Sequence, residues 1–515
     1  MVILYSACMI KYLQITLLLT ILPFVAADEK EQSASLAGSR PNIILVITDD
    51  QGMGDLSCMG HPFLETPHLD RFHAQSTRFT NYQASSTCSP TRAALMSGRH
   101  PFEVGITHTV FQRERMALDV VSLPETLKTA GYATGLFGKW HLGDEEAYLP
   151  QNRGFDEVLM HGAGGIGQYR WGDFKANTVN TYFDSTLLHN DTVVKTKGFC
   201  TDLFFNAGLA WIKGQLETEQ PFFAYISTNA PHSPYIAPES YKKRFLEMGL
   251  SEKTAGFYGM VENIDDNFGR LMAKLEEWGA LENTLVVFMT DNGSASRRIE
   301  YKDGKQEPAY NAGLRGYKAS HHEGGTRVPS FWFWAGKIKA GADIDGLTNH
   351  YDVYPTLAAL AGAELPDGPL PAKGMSFLPL LEAPQADWPE RTRFFHRGRW
   401  DDGKWSRATR EESQYHRGAV RTDRWRLVFE LEDDEPVMHL ADMLADPGET
   451  TNLVEQYPEV VQGLKQAYDD WWDSTEPFLV NEGLPKIPSE QQPFPQRYEQ
   501  QLKTQGIPLW KPDEI

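Results

Sequence analysis

Cys88 begins the segment Cys-Ser-Pro-Thr-Arg, whose residue types suit a nucleophile at the start of a helix. Pro90 has the fixed φ angle and missing N–H group of a first helical turn, and Gly98 is typical of a helix end. The unpaired N–H groups at a helix start favour an anion, and Arg92 can add a guanidinium group at the same place. We therefore expect Cys88 to lie beside a site for a tetrahedral oxyanion. The alternative is a structural or disulfide-bonded cysteine.

Four apolar segments each end in polar side chains that could do chemistry. Asp49 and Asp50 follow the segment 42–48, and Lys139 and His141 follow the segment 132–138. His232 follows the segment 221–227, and Asp291 and Asn292 follow the segment 284–290. Continuous apolar runs are typical of strands that are buried on both faces. Helical patterns over residues 123–130, 200–216 and 255–278 alternate with them. This alternation predicts an α/β fold with a doubly wound, mostly parallel sheet, and the polar ends should meet at one edge.

Two of these strand ends carry oxygen ligands. Asp49 and Asp50 form one pair, and Asp291 and Asn292 form the other. Adjacent carboxylates at the mouth of a buried strand are costly unless a cation neutralises them. Hard oxygen donors without a His/Cys cluster favour Ca²⁺ over Mg²⁺ and zinc. The alternative is that each Asp only caps a turn.

Three segments resemble motifs of the formylglycine-dependent type I sulfatases of the alkaline phosphatase superfamily. They are Cys-Ser-Pro-Thr-Arg at 88–92, Gly-Lys-Trp-His-Leu-Gly at 138–143, and residues 314–329, which contain Lys318 and end in Glu-Gly-Gly-Thr-Arg-Val-Pro. The likeness covers about residues 41–450, and residues 440–452 resemble the C-terminal domain of that family. The resemblance implies a mixed, mostly parallel sheet of the alkaline phosphatase type with a smaller C-terminal domain.

The resemblance also implies a cofactor and a nucleophile. A maturation enzyme would oxidise Cys88 to an aldehyde, 3-oxoalanine or formylglycine. The Ca²⁺ ligands would be Asp49, Asp50, Asp291, Asn292 and the oxidised Cys88. One hydroxyl of the hydrated aldehyde, deprotonated with help from Asp291, would attack sulfur and form a covalent sulfate ester.

The same resemblance implies roles for the charged residues around the nucleophile. Lys139, Lys318 and Arg92 would neutralise the sulfate oxygens. His232, sharing the task with Lys318, would protonate the departing alcohol, and His141 would take the proton whose removal expels sulfate. An unmodified thiolate could attack sulfur but could not release sulfate in this way.

Three further residues are candidates for substrate contacts: His108, Arg170 and His322. Arg170 follows the glycine-rich segment 162–167, which we interpret as a long insertion loop over the strand ends. The alternative for the histidines is a hydrogen-bonded loop residue, and for the aromatic neighbours of Arg170 it is packing under the loop.

The N-terminus reads as an export signal. Residues 1–27 carry one charge, Lys11, before a short apolar run and the small residue Ala27. The run is short for a membrane span, so we expect an exported, periplasmic or secreted protein with no membrane span in its mature form. The formal net charge of −20 excludes a nucleic-acid partner and requires a local basic pocket for any polyanion.

Export bears on the four cysteines. Cys8 falls in the signal, so the mature chain has an odd number, and one thiol stays unpaired. The simplest arrangement is a disulfide between Cys58 and Cys200 with Cys88 left for chemistry, although the sequence does not prove that pairing.

The composition divides the chain into a signal (1–27), a linker (28–40), a catalytic domain (41–384) and a C-terminal α+β domain with a tail (385–515). In the last part, residues 424–431 alternate as in a half-exposed antiparallel strand, a second strand follows at 437–440, and residues 458–472 are helical. The tail beyond is rich in proline and poorly patterned.

These patterns together predict a sulfatase that acts on an O-sulfated oligo- or polysaccharide. The sugar, the sulfate position, attack at chain ends or internally, and the oligomeric state stay open. One competing hypothesis is a phosphomonoester or phosphonate hydrolase on the same scaffold, although no second His/Asp cluster for another metal is evident. The other is a non-catalytic protein that binds sulfated saccharides.

Overall fold

The computed structural model describes residues 35–174, 180–400, 406–433 and 435–513. The predicted export signal, the first part of the linker, Trp405 and Asp434 lie outside the described residues. None of the described helices combines the length and the apolar character needed to cross a membrane.

The strands, in chain order, are β1 (Asn42–Thr48), β2 (Thr77–Phe79), β3 (Tyr82–Gln83), β4 (Ala133–Gly138), β5 (Glu157–Met160), β6 (Thr186–His189), β7 (Thr192–Lys195), β8 (Phe222–Ser227), β9 (Thr284–Thr290), β10 (Arg298–Glu300), β11 (Gln306–Pro308), β12 (Ser330–Phe333), β13 (Asp343–Ile344), β14 (Thr348–Asn349), β15 (Arg393–His396), β16 (Gly418–Arg421), β17 (Trp425–Glu432) and β18 (Glu435–Asp442). The helices are α1 (Pro67–Gln75), α2 (Cys88–Ser97), α3 (Leu123–Thr129), α4 (Cys200–Leu216), α5 (Glu239–Glu247), α6 (Glu252–Glu277), α7 (Glu323–Thr326), α8 (Val353–Ala361), α9 (Leu378–Glu382), α10 (Arg407–Glu412), α11 (Pro458–Thr475) and α12 (Pro493–Thr504).

Ten strands form the main sheet in the order β13-β2-β12-β9-β1-β8-β4-β5-β6-β7. The four strands predicted from apolar runs are its central, mutually parallel members. Their ends are in register, because Thr48 pairs with Thr290 and Gly138 pairs with Ser227. The polar segments that follow these strands therefore meet at one edge, as predicted.

Both faces of this sheet are covered by helices. Along β1, Ile43 and Leu45 belong to one apolar cluster and Ile44 and Val46 to another. The first cluster includes residues of α2, α3 and α8, and the second includes residues of α1, α4 and α6. This confirms the doubly wound α/β prediction and explains why β1 has no polar face.

The C-terminal region contains a separate antiparallel sheet in the order β15-β16-β17-β18. The half-exposed prediction for β17 is wrong in its centre, because Arg426 and Val428 are as buried as Leu427 and Phe429. Arg426 donates to Glu323 Oε1 at 2.6 Å and to the His321 carbonyl at 2.7 Å, both in the segment that resembles a sulfatase motif. The second face of β17 is buried against the larger sheet's domain.

The proline-rich tail has more order than its pattern predicts. Its helix α12 lies beside β7, the edge strand of the main sheet, where Gln501 accepts from the Val193 amide and donates to the Val193 carbonyl, each at 2.7 Å. Further along, the Lys195 amide donates to the Pro508 carbonyl at 2.9 Å. The tail thus covers backbone groups that an open edge strand would expose.

The expected disulfide is absent from the described residues, in which Cys58, Cys88 and Cys200 are free thiols. Cys58 lies in a short turn and its amide donates to Asp70 Oδ1 at 2.9 Å. Cys200 begins α4, and its amide donates to the Tyr182 carbonyl at 2.8 Å. The side chains of Cys58 and Cys200 both pack in one apolar cluster without a bond between them.

Candidate active site

The strand ends of the main sheet form a buried charged cluster. Asp49 follows β1, and its Oδ2 lies 2.6 Å from Lys139 Nζ, which follows β4; both side chains are fully buried. The strand β4 approaches β8 closely, since a Cβ on Gly138 would lie 1.8 Å from the Ser227 carbonyl oxygen. Glycine at 138 allows the Lys139 amide to donate to that carbonyl at 2.7 Å.

Cys88 lies at the N-terminus of α2, as predicted, and the helix ends at Gly98. Arg92, one turn later, donates to Asp291 Oδ2 from Nη2 at 2.8 Å and from Nε at 3.2 Å. Its Nη1 also donates to the Ser227 hydroxyl. The guanidinium group of Arg92 is thus committed to Asp291 and β8, rather than open toward an anion beside Cys88.

A second ion pair joins Asp50 to Lys318, whose Nζ lies 2.6 Å from both carboxylate oxygens. On its other sides Asp50 Oδ1 accepts from Asn292 Nδ2 at 3.0 Å, and Oδ2 lies 3.8 Å from His232 Nε2. Asp50 has a φ of 68° and His141 a φ of 61°, the left-handed region that side chains other than glycine rarely adopt. Such conformations persist where surrounding contacts fix them, which is common at functional sites.

The carboxyl groups of this cluster differ in their ionisation. Burial, together with the nearby Asp49 carboxylate, raises the pKa of Asp291 to about 7. Burial also opposes ionisation of Asp50, but Lys318 and His232 outweigh it and hold the pKa of Asp50 well below its ordinary value. Burial raises the pKa of the Cys88 thiol. The Arg92 guanidinium therefore does not offset the effect of burial and of the Asp49 charge on Asp291.

Asp49, Cys88 and Asp291 form a candidate cation site, since their ligand atoms all lie within 4.8 Å of one another. Two further oxygens point to the same conclusion. Asp49 Oδ1 and Asn292 Oδ1 are buried and accept no hydrogen bond from any described residue. Buried oxygens of this kind need a partner, and a hard cation supplies one. The residues therefore fit a Ca²⁺ ion.

His141 and His232 differ in which ring nitrogen is held by a backbone carbonyl. His141 Nε2 lies 2.8 Å from the Thr109 carbonyl, so Nε2 carries the hydrogen, and its buried Nδ1 has no hydrogen-bond partner among the described residues. His232 Nδ1 lies 2.6 Å from the Ser233 carbonyl and donates to it, so Nε2 is the nitrogen that faces Asp50. His141 thus has an unused acceptor, and His232 has a second nitrogen on the ion cluster.

The glycine-rich segment 162–167 covers both histidines. A Cβ on Gly164 would lie 2.6 Å from the His141 ring, and a Cβ on Gly165 would lie 3.3 Å from the His232 ring. The segment is anchored by Asp173, which accepts from the Gly167 amide at 2.7 Å. The sequence predicts an insertion loop over the strand ends here, and the structure brings the backbone of this segment directly against the histidine rings.

The three candidate substrate residues lie in different surroundings. His108 lines a hollow of about 640 Å³ beside the site, and its Nδ1 accepts from the Thr109 amide at 2.8 Å. Arg170 is exposed, with its guanidinium 5.9 Å from the centroid of the Trp171 ring. His322 is buried away from the hollow, with Nδ1 2.8 Å from Glu449 Oε1, and this placement favours a structural role for it.

Sequence reasoning missed several residues that position the site. The Thr109 carbonyl contacts His141, and the Asp173 carboxylate contacts the glycine-rich segment. The Ser227 hydroxyl contacts Arg92, and the Asn229 side chain contacts the Ile166 amide. Asn229 and Ser227 lie at a predicted strand end, so the pattern could have identified them. Thr109 acts through its backbone carbonyl, and no side-chain pattern signals that.

Comparison with known proteins agrees with this geometry. The family model named Sulfatase matches residues 41–363, and the model named N-sulphoglucosamine sulphohydrolase, C-terminal, matches residues 317–471. Human arylsulfatase A is 32% identical over 472 residues, covering 84% of this chain and 88% of the relative. Pig N-acetylgalactosamine-6-sulfatase is 34% identical over 378 residues, covering 70% and 69%.

The crystal structure of Ps i-CgsB has the same fold, with a TM-score of 0.72 at 26% identity. The alignment covers 86% of this chain and 95% of that one, and the same protein has also been solved in complex with k-i-k-neocarrahexaose. The predicted sulfatase fold and enzyme class are confirmed by these matches. The chain belongs to the sulfatase family and is a sulfuric ester hydrolase.

Proposed function

We propose that this sulfatase hydrolyses O-sulfate esters of a sulfated carbohydrate at Cys88. The observation that carries the proposal is the buried meeting of Cys88 with Asp49 and Asp291, next to the cations Lys139 and Lys318. The carbohydrate class is supported by two relatives, one named for N-acetylgalactosamine 6-sulfate and one crystallised with a neocarrahexaose. An export signal at residues 1–27 and a periplasmic or secreted location belong to the same proposal.

We infer that Cys88 is oxidised to formylglycine by a maturation enzyme. The hydrated aldehyde supplies a hydroxyl nucleophile and, unlike a thiol, can release sulfate by re-forming the aldehyde. The N-terminus of α2 and the ammonium groups of Lys139 and Lys318 bring positive charge to position 88, where a bound cation would neutralise the carboxylates of Asp49 and Asp291. Such surroundings favour the negative charge that develops on sulfate oxygens.

A Ca²⁺ ion completes the proposed site. Asp49, Asp50, Asp291, Asn292 and the modified residue 88 would hold it. When bound, Ca²⁺ supplies positive charge for the nucleophile and the sulfate oxygens. In this arrangement Arg92 orients Asp291 through the two hydrogen bonds to Oδ2.

The remaining residues handle charge and protons. Lys139 and Lys318 neutralise the sulfate oxygens from two sides of the cluster. His141 accepts a proton at Nδ1, because its Nε2 hydrogen is held by the Thr109 carbonyl. His232 in its doubly protonated form, which the nearby Asp50 carboxylate favours, delivers the Nε2 proton to the departing alcohol oxygen, with Lys318 as a second donor.

Matched sulfate and phosphate monoesters of one alcohol test the reaction class. We expect the protein from its native host to release sulfate and the Cys88→Ala variant to release none. Cys58→Ala is the control and should change the rate little, because among the described residues Cys58 contacts Asp70 and no residue of the site. Removal of Ca²⁺ with a chelator should lower both turnover and melting temperature, and Ca²⁺ should restore both. Faster phosphate release would favour the phosphohydrolase, and saccharide binding without any turnover would favour the binding protein.

A further inference from the structure

Two adjoining hollows open beside Lys318. The smaller, of about 320 Å³, is lined by side chains of Arg297, Lys318, Arg397 and Arg417 and by the segment 316–320. The larger, of about 640 Å³, is lined by His108, Phe111, Trp171, Arg397, Arg399 and Arg417. Because Arg397 and Arg417 line both, the hollows form one continuous cleft that starts at the proposed sulfate site. We call it the arginine cleft.

The arginine cleft is basic in a protein of net charge −20. Of the residues that the structure describes, no Asp or Glu lines either hollow. Glu430 lines a neighbouring hollow with Arg417, but it is paired with Arg315 at 3.3 Å and with His322 at 2.9 Å. The surroundings also lower the pKa of His108, through burial first and nearby arginines second.

Arg297 and Arg417 are the exposed guanidinium groups of this cleft. Arg297 Nη2 donates to the Lys318 carbonyl at 2.9 Å, which places it directly beside the proposed catalytic lysine. Arg417 comes from the C-terminal sheet, where its amide donates to the Phe429 carbonyl at 3.1 Å. Two exposed arginines on opposite domains thus face one cleft.

The larger hollow also has an apolar wall. Phe111 and Trp171 pack edge to face there, with ring centroids 4.9 Å apart. Lys486 Nζ covers one face of the Phe111 ring at 4.0 Å, and Trp171 offers a flat apolar surface on which a sugar ring can lie. A cleft with arginines on one side and aromatic rings on another matches a saccharide that carries negative groups.

We propose that Arg417, together with Arg297, forms an anion subsite for a second sulfate or carboxylate group on the saccharide whose sulfate ester is cleaved beside Lys318. This inference rests on the proposed function. Guanidinium groups bind sulfate and carboxylate through paired, charge-assisted hydrogen bonds. The subsite selects substrates with two anionic groups over substrates with one.

The test compares one sugar sulfate with two derivatives, one with a second sulfate and one joined to a uronate. The wild-type enzyme should prefer a two-anion substrate by about tenfold in kcat/KM, since one charge-assisted contact has about that value, and added salt should shrink the preference. Arg417→Gln should reduce the ratio toward one, mainly through KM, and Arg417→Lys should retain part of it. Arg298→Gln, a neighbouring exposed arginine that lines neither hollow, is the matched control.

Calorimetry of the same saccharides with the Cys88→Ala protein measures the preference for two anionic groups as a binding affinity, without turnover. The proposed subsite would be wrong if Arg417→Gln kept the preference for substrates with two anionic groups. It would also be wrong if the wild-type protein showed no such preference. Failure of the wild-type enzyme to release sulfate from any substrate would instead contradict the proposed function. The derivative that is preferred identifies the second group as sulfate or carboxylate.

Discussion

At the scale of single residues, Gly164 leaves no room for a side chain beside His141. Its missing side chain gives the His141 ring room, because an added Cβ would come within 2.6 Å of two ring atoms. A ring displaced by such a contact loses the hydrogen bond to the Thr109 carbonyl that orients Nδ1. Misplacement of a catalytic group by about 1 Å costs about 100-fold in rate.

Gly164→Ala should therefore lower kcat for a sulfate ester by about 100-fold, with a smaller effect on the melting temperature. Gly214→Ala is the control, since a Cβ at this position in α4 meets nothing within 4 Å. It should leave kcat unchanged and raise the free energy of unfolding by about 1 kcal/mol. Equal kcat values for the two variants would show that the glycine-rich segment does not position His141.

At the scale of elements, the segment 162–167 is held by carboxylates rather than by regular structure. Asp173 accepts from the Gly167 amide at 2.7 Å and from the Gly162 amide at 3.3 Å, and it is fully buried. A buried carboxylate with two backbone donors fixes both ends of a short loop. The segment should therefore open when this one side chain is removed.

Asp173→Ala should lower kcat/KM by at least tenfold and increase hydrogen exchange at Gly162 and Gly167, because both amides lose their acceptor. Asp119→Asn, at an exposed site, should change neither quantity. If Asp173→Ala kept wild-type exchange at the two glycines, the anchoring role would be wrong. Exchange is carried out on the intact chain and is read by mass spectrometry of the peptides that contain Gly162 and Gly167.

The elements that the sequence predicts well are those whose signal is local. The strands β1 and β9 agree with the predicted bounds, and β4 and β8 begin one residue later. Their apolar runs are continuous because helices cover both faces. The helix α2 was also predictable, from Pro90 and Gly98.

Elements whose environment depends on a distant segment were predicted less well. The alternation of apolar and polar residues along β17 predicts an exposed Arg426. The residue is buried because it pairs with Glu323, which lies about a hundred residues earlier in the chain. The helix α12 was missed because its prolines hide the pattern, while Gln501 finds its partner on β7. Of the site, the ion pairs at the strand ends follow from sheet register, whereas the backbone roles of Thr109 and Gly164 do not.

At the scale of the whole molecule, one buried ion cluster joins the C-terminal sheet to helix α7. Glu323 receives Arg426 at 2.6 Å and Arg421 at 3.0 Å, and all three side chains are buried. Burial opposes ionisation of Glu323, but Arg421 and Arg426 outweigh it and lower its pKa from 4.5 to about 2. A carboxyl group whose pKa is lower in the folded than in the unfolded protein stabilises the fold at pH values above the pKa of the unfolded state.

This contribution should amount to about 3 kcal/mol at neutral pH and should disappear as pH falls from about 4.5 to about 2. Glu323→Gln should therefore unfold at lower urea concentration than the wild-type protein at pH 7, and the difference should shrink with acid. Glu276→Gln, on the exposed face of α6, should match the wild-type protein throughout. A difference that stays constant with pH would contradict this linkage.

The central claim is that Cys88 is converted into the nucleophile. The most direct test is mass spectrometry of the peptide from Phe79 to Arg92, taken from protein secreted by its native host. We predict an aldehyde in place of the thiol at position 88 of this peptide, with unmodified thiols in the separate peptides that contain Cys58 and Cys200. A fully unmodified Cys88 in protein that nevertheless releases sulfate would contradict the account.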